Sequence, residues 1–182
     1  MNIRFFVIAL LIFLSGSDIK HTSVPEIKHV YILGNDSRYY EEVNGKHVPV
    51  MFAGGTPKRL DTLSLSPENY LEVCEFYNIA DPELVYAQSC LESGHFTSRK
   101  FKTKNNHLGI KKGKGYASYD NWAMCLKDYS DRVAYKKHKN ENHYTFLIRI
   151  GYAEDEEYVN KVKSVVQYNR KQGKTNWNSS GK

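Results

Sequence analysis

Glu92 is the residue whose setting first offers chemistry. It sits in the run Gln88-Ser89-Cys90-Leu91-Glu92-Ser93-Gly94, where an apolar helical pattern stops at a glycine suited to a left-handed C-terminal position. A carboxylate at that end faces the negative pole of the helix dipole. Where burial also strips it of water, the protonated form gains. A carboxyl group kept protonated near neutral pH is the general acid that a departing glycosidic oxygen needs. The plainer reading of the same residues is a solvated glutamate that merely precedes a helix cap.

Three further segments carry side chains suited to holding a sugar. Asn105-Asn106-His107-Leu108-Gly109-Ile110-Lys111 offers two adjacent amides ahead of an apolar turn. Such a loop suits sugar hydroxyls and acetamido groups, although an ordinary Asn-rich turn has the same composition. Tyr116-Ala117-Ser118-Tyr119-Asp120-Asn121-Trp122 leads into a helical pattern, and Gly151-Tyr152-Ala153-Glu154-Asp155-Glu156-Glu157-Tyr158 opens another. Tyrosine and tryptophan faces make sugar platforms, but most such rings are core. Between Glu92 and the Tyr119 segment lies a basic run: Arg99, Lys100, Lys102, Lys104, Lys111, Lys112 and Lys114. It reads either as a solvated loop or as an electrostatic rim for an anionic polymer. The histidines, at 21, 29, 47, 95, 107, 138 and 143, form no metal-ligand spacing. No metal or other cofactor is called for, and no glycine-rich phosphate loop follows a strand.

The elements that must position these residues are mainly helical. Ser66 with Pro67 marks a first helix, cap then proline. Asp81 with Pro82 marks a second, which Gly94 ends. On it Leu84, Ala87 and Leu91 share one face, and Val85, Gln88 or Ser89, and Glu92 the adjacent one. A third helix starts near Asp120, with Trp122, Leu126, Tyr129 and Val133 on one face. A short apolar stretch covers 144–150. The last helix opens on Glu154-Asp155-Glu156-Glu157 and gathers Lys161, Lys163, Arg170 and Lys171 towards its end, which complements its dipole. Residues 66–171 therefore read as the functional domain and 172–182 as a polar tail. Residues 18–65 differ. They read as an extended N-terminal arm with a short strand at 29–33, turns at Gly34-Asn35-Asp36 and Asn44-Gly45, and an edge strand or arm at 47–52, since Pro49 cannot donate to a ladder. Gly54-Gly55-Thr56-Pro57 breaks what precedes it.

The first 17 residues have the layout of a secretory signal peptide: Arg4, then ten apolar residues at 5–14, then Ser15-Gly16-Ser17. A membrane span needs about 20 apolar residues, so no integral span is expected once the signal is removed. An uncleaved anchor is the rival. A secreted or periplasmic protein follows. The whole chain has 182 residues, is 41% hydrophobic and 25% charged, and carries a formal charge of +6. That length supports one domain with a real core. The mean hydropathy of −0.59 excludes a polytopic membrane protein. The charge favours polyanions, and the export signal argues against nucleic acid. Cys74, Cys90 and Cys125 are an odd set, so one thiol at least stays free. They read as small buried residues, with a Cys74–Cys90 bridge as the alternative.

Taken in order, Ala87-Gln88-x-x-Leu91-Glu92-Ser93-Gly94, Asn105-Asn106-x-Leu108-Gly109-Ile110-Lys111, the Tyr119 segment and Gly151-Tyr152-Ala153-x-Asp155-x-x-Tyr158 resemble the bacterial endo-β-N-acetylglucosaminidase family. The resemblance spans roughly residues 66–170. It implies a mainly α, lysozyme-like domain, here with a short or vestigial β-hairpin lobe, acting on peptidoglycan glycan strands as a hydrolase. It implies Glu92 as general acid, Tyr152 as a cleft tyrosine near the scissile bond, Asn106 shaping the sugar site and Tyr119 lining the groove. Asp120 and Trp122 join them as substrate-binding candidates, and Asp155 shares its motif but serves equally as a helix cap. One departure stands out. Many members carry a second acid on the hairpin lobe, whereas this chain has Lys112-Gly113-Lys114-Gly115-Tyr116 and no glutamate between Glu92 and Glu141. Either a water held by Tyr152 or Asp120 completes the site, or the substrate's own 2-acetamido group does, or the enzyme is slow or narrow in substrate. A muramidase, a lytic transglycosylase and a non-catalytic peptidoglycan-binding protein on the same fold remain rival readings.

Overall fold

The computed structural model describes residues 31–32, 38–53 and 56–174. The segment read as a signal peptide and the far end of the tail lie outside them. The chain divides at Leu63–Ser64 into two units.

The first unit is an antiparallel meander: β1 (Tyr31–Ile32), β2 (Tyr39–Val43), β3 (Lys46–Ala53) and β4 (Thr56–Arg59), paired in that order. The expected arm is thus a four-stranded sheet. Asn44 and Gly45 both have left-handed φ, 51° and 72°, the requirement of a two-residue hairpin turn whose twist matches its strands. Pro49 lies on an inner strand, not on the expected edge. Its ring nitrogen costs no ladder bond because of register. Pro49 faces Leu60, one residue past the end of β4, and its carbonyl accepts from the Leu60 N–H at 3.0 Å. The missing donor therefore falls where the β3–β4 ladder stops. Thr56 and Pro57, expected in a break, are strand. Among the described residues of this unit, Val48, Val50, Met51 and Leu60 are the buried apolar ones.

The second unit is mainly α. It runs α1 (Pro67–Phe76), α2 (Pro82–Ser93), α3 (Arg99–Lys104), a hairpin of β5 (Lys111–Lys112) and β6 (Gly115–Tyr116), α4 (Trp122–Arg132), a 3₁₀ turn (Ala134–Lys136), α5 (His143–Arg149) and α6 (Tyr158–Lys171). The Ser66 hydroxyl caps α1 by accepting from Asn69 N–H at 3.2 Å, and Asn121 does the same for α4 towards Met124. Asp81 precedes Pro82 as expected but makes no capping bond. Its φ is 53°, and its carboxylate lies 3.1 Å from Lys137 Nζ instead. A basic loop was expected where α3 forms. Its sequence, RKFKTK, has one apolar ring and hence no stripe to read. The acids before α6 sit in the turn ahead of it: Asp155 accepts from Glu157 N–H at 2.9 Å and pairs with Lys161.

α2 is the axis of this unit. It packs on α1 and on α6, and residues 85–90 are all buried, so polar and apolar faces alike are enclosed. On the α6 side Ala87, with Leu84 and Leu91 at its flanks, meets Tyr158, Val162 and Val166. The spacing of those α6 residues is one helical stripe. Arg170 closes the pair with two bonds to Glu83, at 2.6 and 2.5 Å. The three cysteines are free and buried; Cys74 and Cys90 are not bridged.

Candidate active site

Glu92 is the penultimate residue of α2. Three consecutive residues after the helix, Gly94, His95 and Phe96, have left-handed φ of 57°, 54° and 63°. For glycine this is free, while His95 and Phe96 each bear a cost of roughly 1–2 kcal/mol. The turn is held by its own bonds. His95 N–H donates to Cys90 O at 2.7 Å, Ser93 Oγ donates to Ser89 O at 2.5 Å, and Phe96 N–H donates to Ser93 Oγ at 2.8 Å. The Phe96 ring then packs against Tyr86, Phe101 and His107. The helix end that carries Glu92 is therefore fixed in direction.

The 105–110 loop is fixed from inside. Asn106 is fully buried, and its amide nitrogen donates to the carbonyls of Ile110 and Ala117 at 2.8 and 2.9 Å. Its amide oxygen accepts from Ile110 N–H at 3.0 Å. Expected to shape the sugar site, it is instead a clamp within the loop, with its polar atoms turned to backbone. His107 is equally buried. Its Nε2 faces the Trp122 carbonyl at 3.0 Å, which can only accept, so the proton sits on Nε2. Nδ1 then accepts from Ser89 Oγ at 2.8 Å, and Ser89 in turn accepts from Tyr70 Oη at 2.6 Å. Burial pulls the His107 pKa down to about 4, so this chain from α1 through α2 and the loop to α4 is neutral at physiological pH. Gly109 brings the loop against the carboxylate. Its φ is 68°, and a methyl group there would stand 2.7 Å from Glu92 Oε2.

Around Glu92 the other groups come from three places. Tyr152, on the α5–α6 connection, donates to Leu108 O at 3.0 Å and so ties that connection to the loop. Tyr158, at the start of α6, lies near the carboxylate: burial first, then the negative charge of Glu92, pushes its phenol up. Gln88, one turn before Glu92, donates to Tyr158 Oη at 3.5 Å and accepts from His143 Nε2 at 2.8 Å and Tyr129 Oη at 3.4 Å. Lys100, on α3, places Nζ 3.9 Å from Glu92 Oε2 and 4.6 Å from the centre of the Tyr116 ring. The Glu92 side chain is 25% exposed. The desolvated, isolated carboxylate imagined from sequence is thus a partly wetted one with an ammonium counter-charge.

The remaining candidates stand elsewhere. Trp122 is 6% exposed and stacks on Tyr70 at 5.9 Å, a core position rather than a sugar platform. Tyr119 is half-buried, and its hydroxyl donates to Asp128 at 2.7 Å. Asp120 is exposed just ahead of α4, where its carbonyl accepts from Asn105 at 3.2 Å. The structure therefore gathers Glu92 and Tyr152, and adds Lys100, read from sequence only as part of the basic run, and Gly109 and Tyr158, read only as members of motifs. Each had a faint signal. Lys100 is the second cation of the acid-free stretch after Glu92, Gly109 lies in the Asn-Asn loop motif, and Tyr158 ends the last motif.

The family model described as mannosyl-glycoprotein endo-β-N-acetylglucosaminidase matches residues 67–171. Among solved structures, the catalytic domain of the autolysin Auto from Listeria monocytogenes is 20% identical, with a TM-score of 0.46 over 60% of this chain and 82% of that one. No curated protein matches. The matched span begins on the first residue of α1 and ends on the last residue of α6, holding Glu92 and every residue around it. The chain belongs to the mannosyl-glycoprotein endo-β-N-acetylglucosaminidase family, and is a glycoside hydrolase.

Proposed function

We propose that this protein cleaves β-1,4 glycosidic bonds at N-acetylglucosamine in peptidoglycan strands, with Glu92 as the general acid. The observation that carries the reading is the seat of Glu92. Its carboxylate lies at the end of the central helix of the family domain, remains a quarter exposed, and sits so close to Gly109 that a methyl group there would stand 2.7 Å from Oε2. The motif order, the +6 charge and the apolar run at 5–14 support an exported enzyme acting on an acidic wall polymer.

Glu92 gives its proton to the bridging oxygen as the bond from the anomeric carbon breaks. Residues 93–119, which build α3, the 105–110 loop and the hairpin, contain no aspartate or glutamate. Substrate assistance fits that composition. The 2-acetamido oxygen of the substrate closes on the anomeric carbon, forming a cyclic oxazolinium ion, its N–H retained, as the alcohol departs. Glu92, now a carboxylate, takes a proton from the water that reopens this ring, so the configuration is retained. Tyr158 and Tyr152 are kept protonated, chiefly by burial. Tyr158 stabilises the carboxylate and Tyr152 holds the Leu108 carbonyl in place.

The test compares wild type with Glu92→Gln on purified peptidoglycan, reading new reducing ends. A lost general acid lowers the rate about 10²–10⁴-fold. Equal rates would remove Glu92 from the mechanism. Binding without reducing ends in the wild type would reduce the protein to a wall-binding module. New ends on muramic acid would reassign the bond, and anhydro ends would make it a lytic transglycosylase.

A further inference from the structure

The hairpin beside Glu92 is strongly and one-sidedly charged. Residues 93–119 hold seven lysines and arginines and no acid. Lys100 is paired with Glu92. Among the described residues no carboxylate pairs with Arg99, Lys102, Lys104, Lys111, Lys112 or Lys114. Leaving so many like charges together costs self-repulsion, which an anionic ligand relieves.

The hairpin is also well rooted. Ala117, at its base, donates to Ile110 O at 2.9 Å and offers its own carbonyl to Asn106. Arg132 of α4 donates to Lys111 O at 3.3 Å, and Lys104 of α3 to Tyr116 O at 3.5 Å. Lys111 and Tyr116 are directly opposite in register, so their side chains share one face. On Tyr116, 45% exposed, the ring takes Lys100 at 4.6 Å, and Lys100 reaches Glu92 at 3.9 Å. An exposed ring flanked by cations thus lies two contacts from the reacting carboxylate. An aromatic face offers a surface to the apolar side of a sugar, and the cations offer partners to a carboxylate.

From this we infer that the β5–β6 hairpin and Lys100 form a subsite for the carboxylate-bearing sugar unit of the glycan, with Tyr116 as platform and Lys100 and Lys111 as charge partners. The inference rests on the wall-hydrolase reading above and adds that recognition there is of the anionic substituent.

The test uses the full chain and the triple variant Lys111→Gln/Lys112→Gln/Lys114→Gln, with thermal unfolding as the check on folding. Substrates are peptidoglycan with free carboxylates, the same material amidated with carbodiimide and ammonia, and neutral oligomers of N-acetylglucosamine. At low salt the variant should lose about tenfold in kcat/KM on the free-carboxylate material, chiefly through KM, and the loss should shrink as salt rises. On amidated material and neutral oligomers the two proteins should match. Equal kinetics on all three substrates, or an equal loss on all three, overturns the subsite. So does a loss confined to binding of duplex DNA, which would give the strip to nucleic acid. Failure of the wild type to cleave any of the three overturns the hydrolase reading instead.

Discussion

The two segments that flank Glu92 on the chain side of α3 are built in opposite ways. The 105–110 loop spends its polar atoms on itself: Asn106 satisfies three backbone groups, and His107 links Ser89 to the Trp122 carbonyl. The adjoining hairpin keeps its backbone anchored but leaves its lysines and Tyr116 in solvent. One segment is locked in place beside the carboxylate. The other is free to meet a partner. The lesson is that side chains suited to sugar contact, such as the paired asparagines, were taken up by the scaffold, while a lysine of the basic run and a loop glycine came to border Glu92.

That contrast can be broken by substitution. The largest effect of a substitution on stability is expected at Asn106. Asn106→Ala strands the buried Ile110 N–H and the Ala117 carbonyl, while the Ile110 carbonyl keeps its bond from Ala117 N–H; at about 1–3 kcal/mol for each group left unsatisfied, stability should fall by ~2 kcal/mol or more in denaturant titration. A loss below about 1 kcal/mol would mean the loop does not depend on its clamp. Acid should act next. His107 is held near 4 in the folded state against an ordinary value of 6.5. The unfolded chain therefore takes up a proton that the folded one refuses, and stability is lost as pH falls from about 6.5 to 4. The shift corresponds to roughly 3 kcal/mol. His107→Gln should flatten that part of the pH–stability curve; an unchanged slope would show the acid sensitivity lies elsewhere.

Gly109→Ala separates site from scaffold. The left-handed φ costs about 1–2 kcal/mol, and the new methyl displaces the end of the Glu92 side chain. A misplacement near 1 Å is worth about 10² in rate, so activity should fall far more than stability. Parallel small losses would show that Glu92 tolerates movement. At the bottom of the scale, Lys112→Gln should leave stability within about 0.5 kcal/mol, as surface changes usually do. A larger drop would mean the hairpin is structural after all.

What the sequence disclosed follows the same divide. Caps and prolines are local chemistry, so α1, α2 and α4 were readable from Ser66-Pro67, Asp81-Pro82, Gly94 and the Asp120-Asn121 start. Turn chemistry placed Asn44-Gly45, yet Pro49 misled, because whether a proline costs a ladder bond depends on register with a strand ten residues away. α3 escaped because a helix with a single apolar ring has no period. Glu92 and Tyr152 were reachable through motif order. Trp122 was not, since a ring that stacks on Tyr70 and a ring that faces a groove look the same in one dimension. The pairing of Lys100 with Glu92 joins two helices across a turn of three left-handed residues, and no spacing rule foretells it.

The three buried cysteines carry a consequence for how the protein fails. Burial holds Cys90 at about 11 and Cys125 at about 12, and raises Cys74 well above its ordinary value. Almost no thiolate exists in the folded molecule, and the thiolate is the species that oxidants and disulfides attack. Unfolding exposes all three at once, at ordinary reactivity, in a chain that has no native bridge to restore. Outside a reducing environment, then, folding is the antioxidant. Each excursion to the unfolded state risks a covalent tangle, and the useful lifetime of the molecule is governed by how rarely it opens rather than by how favourably it closes.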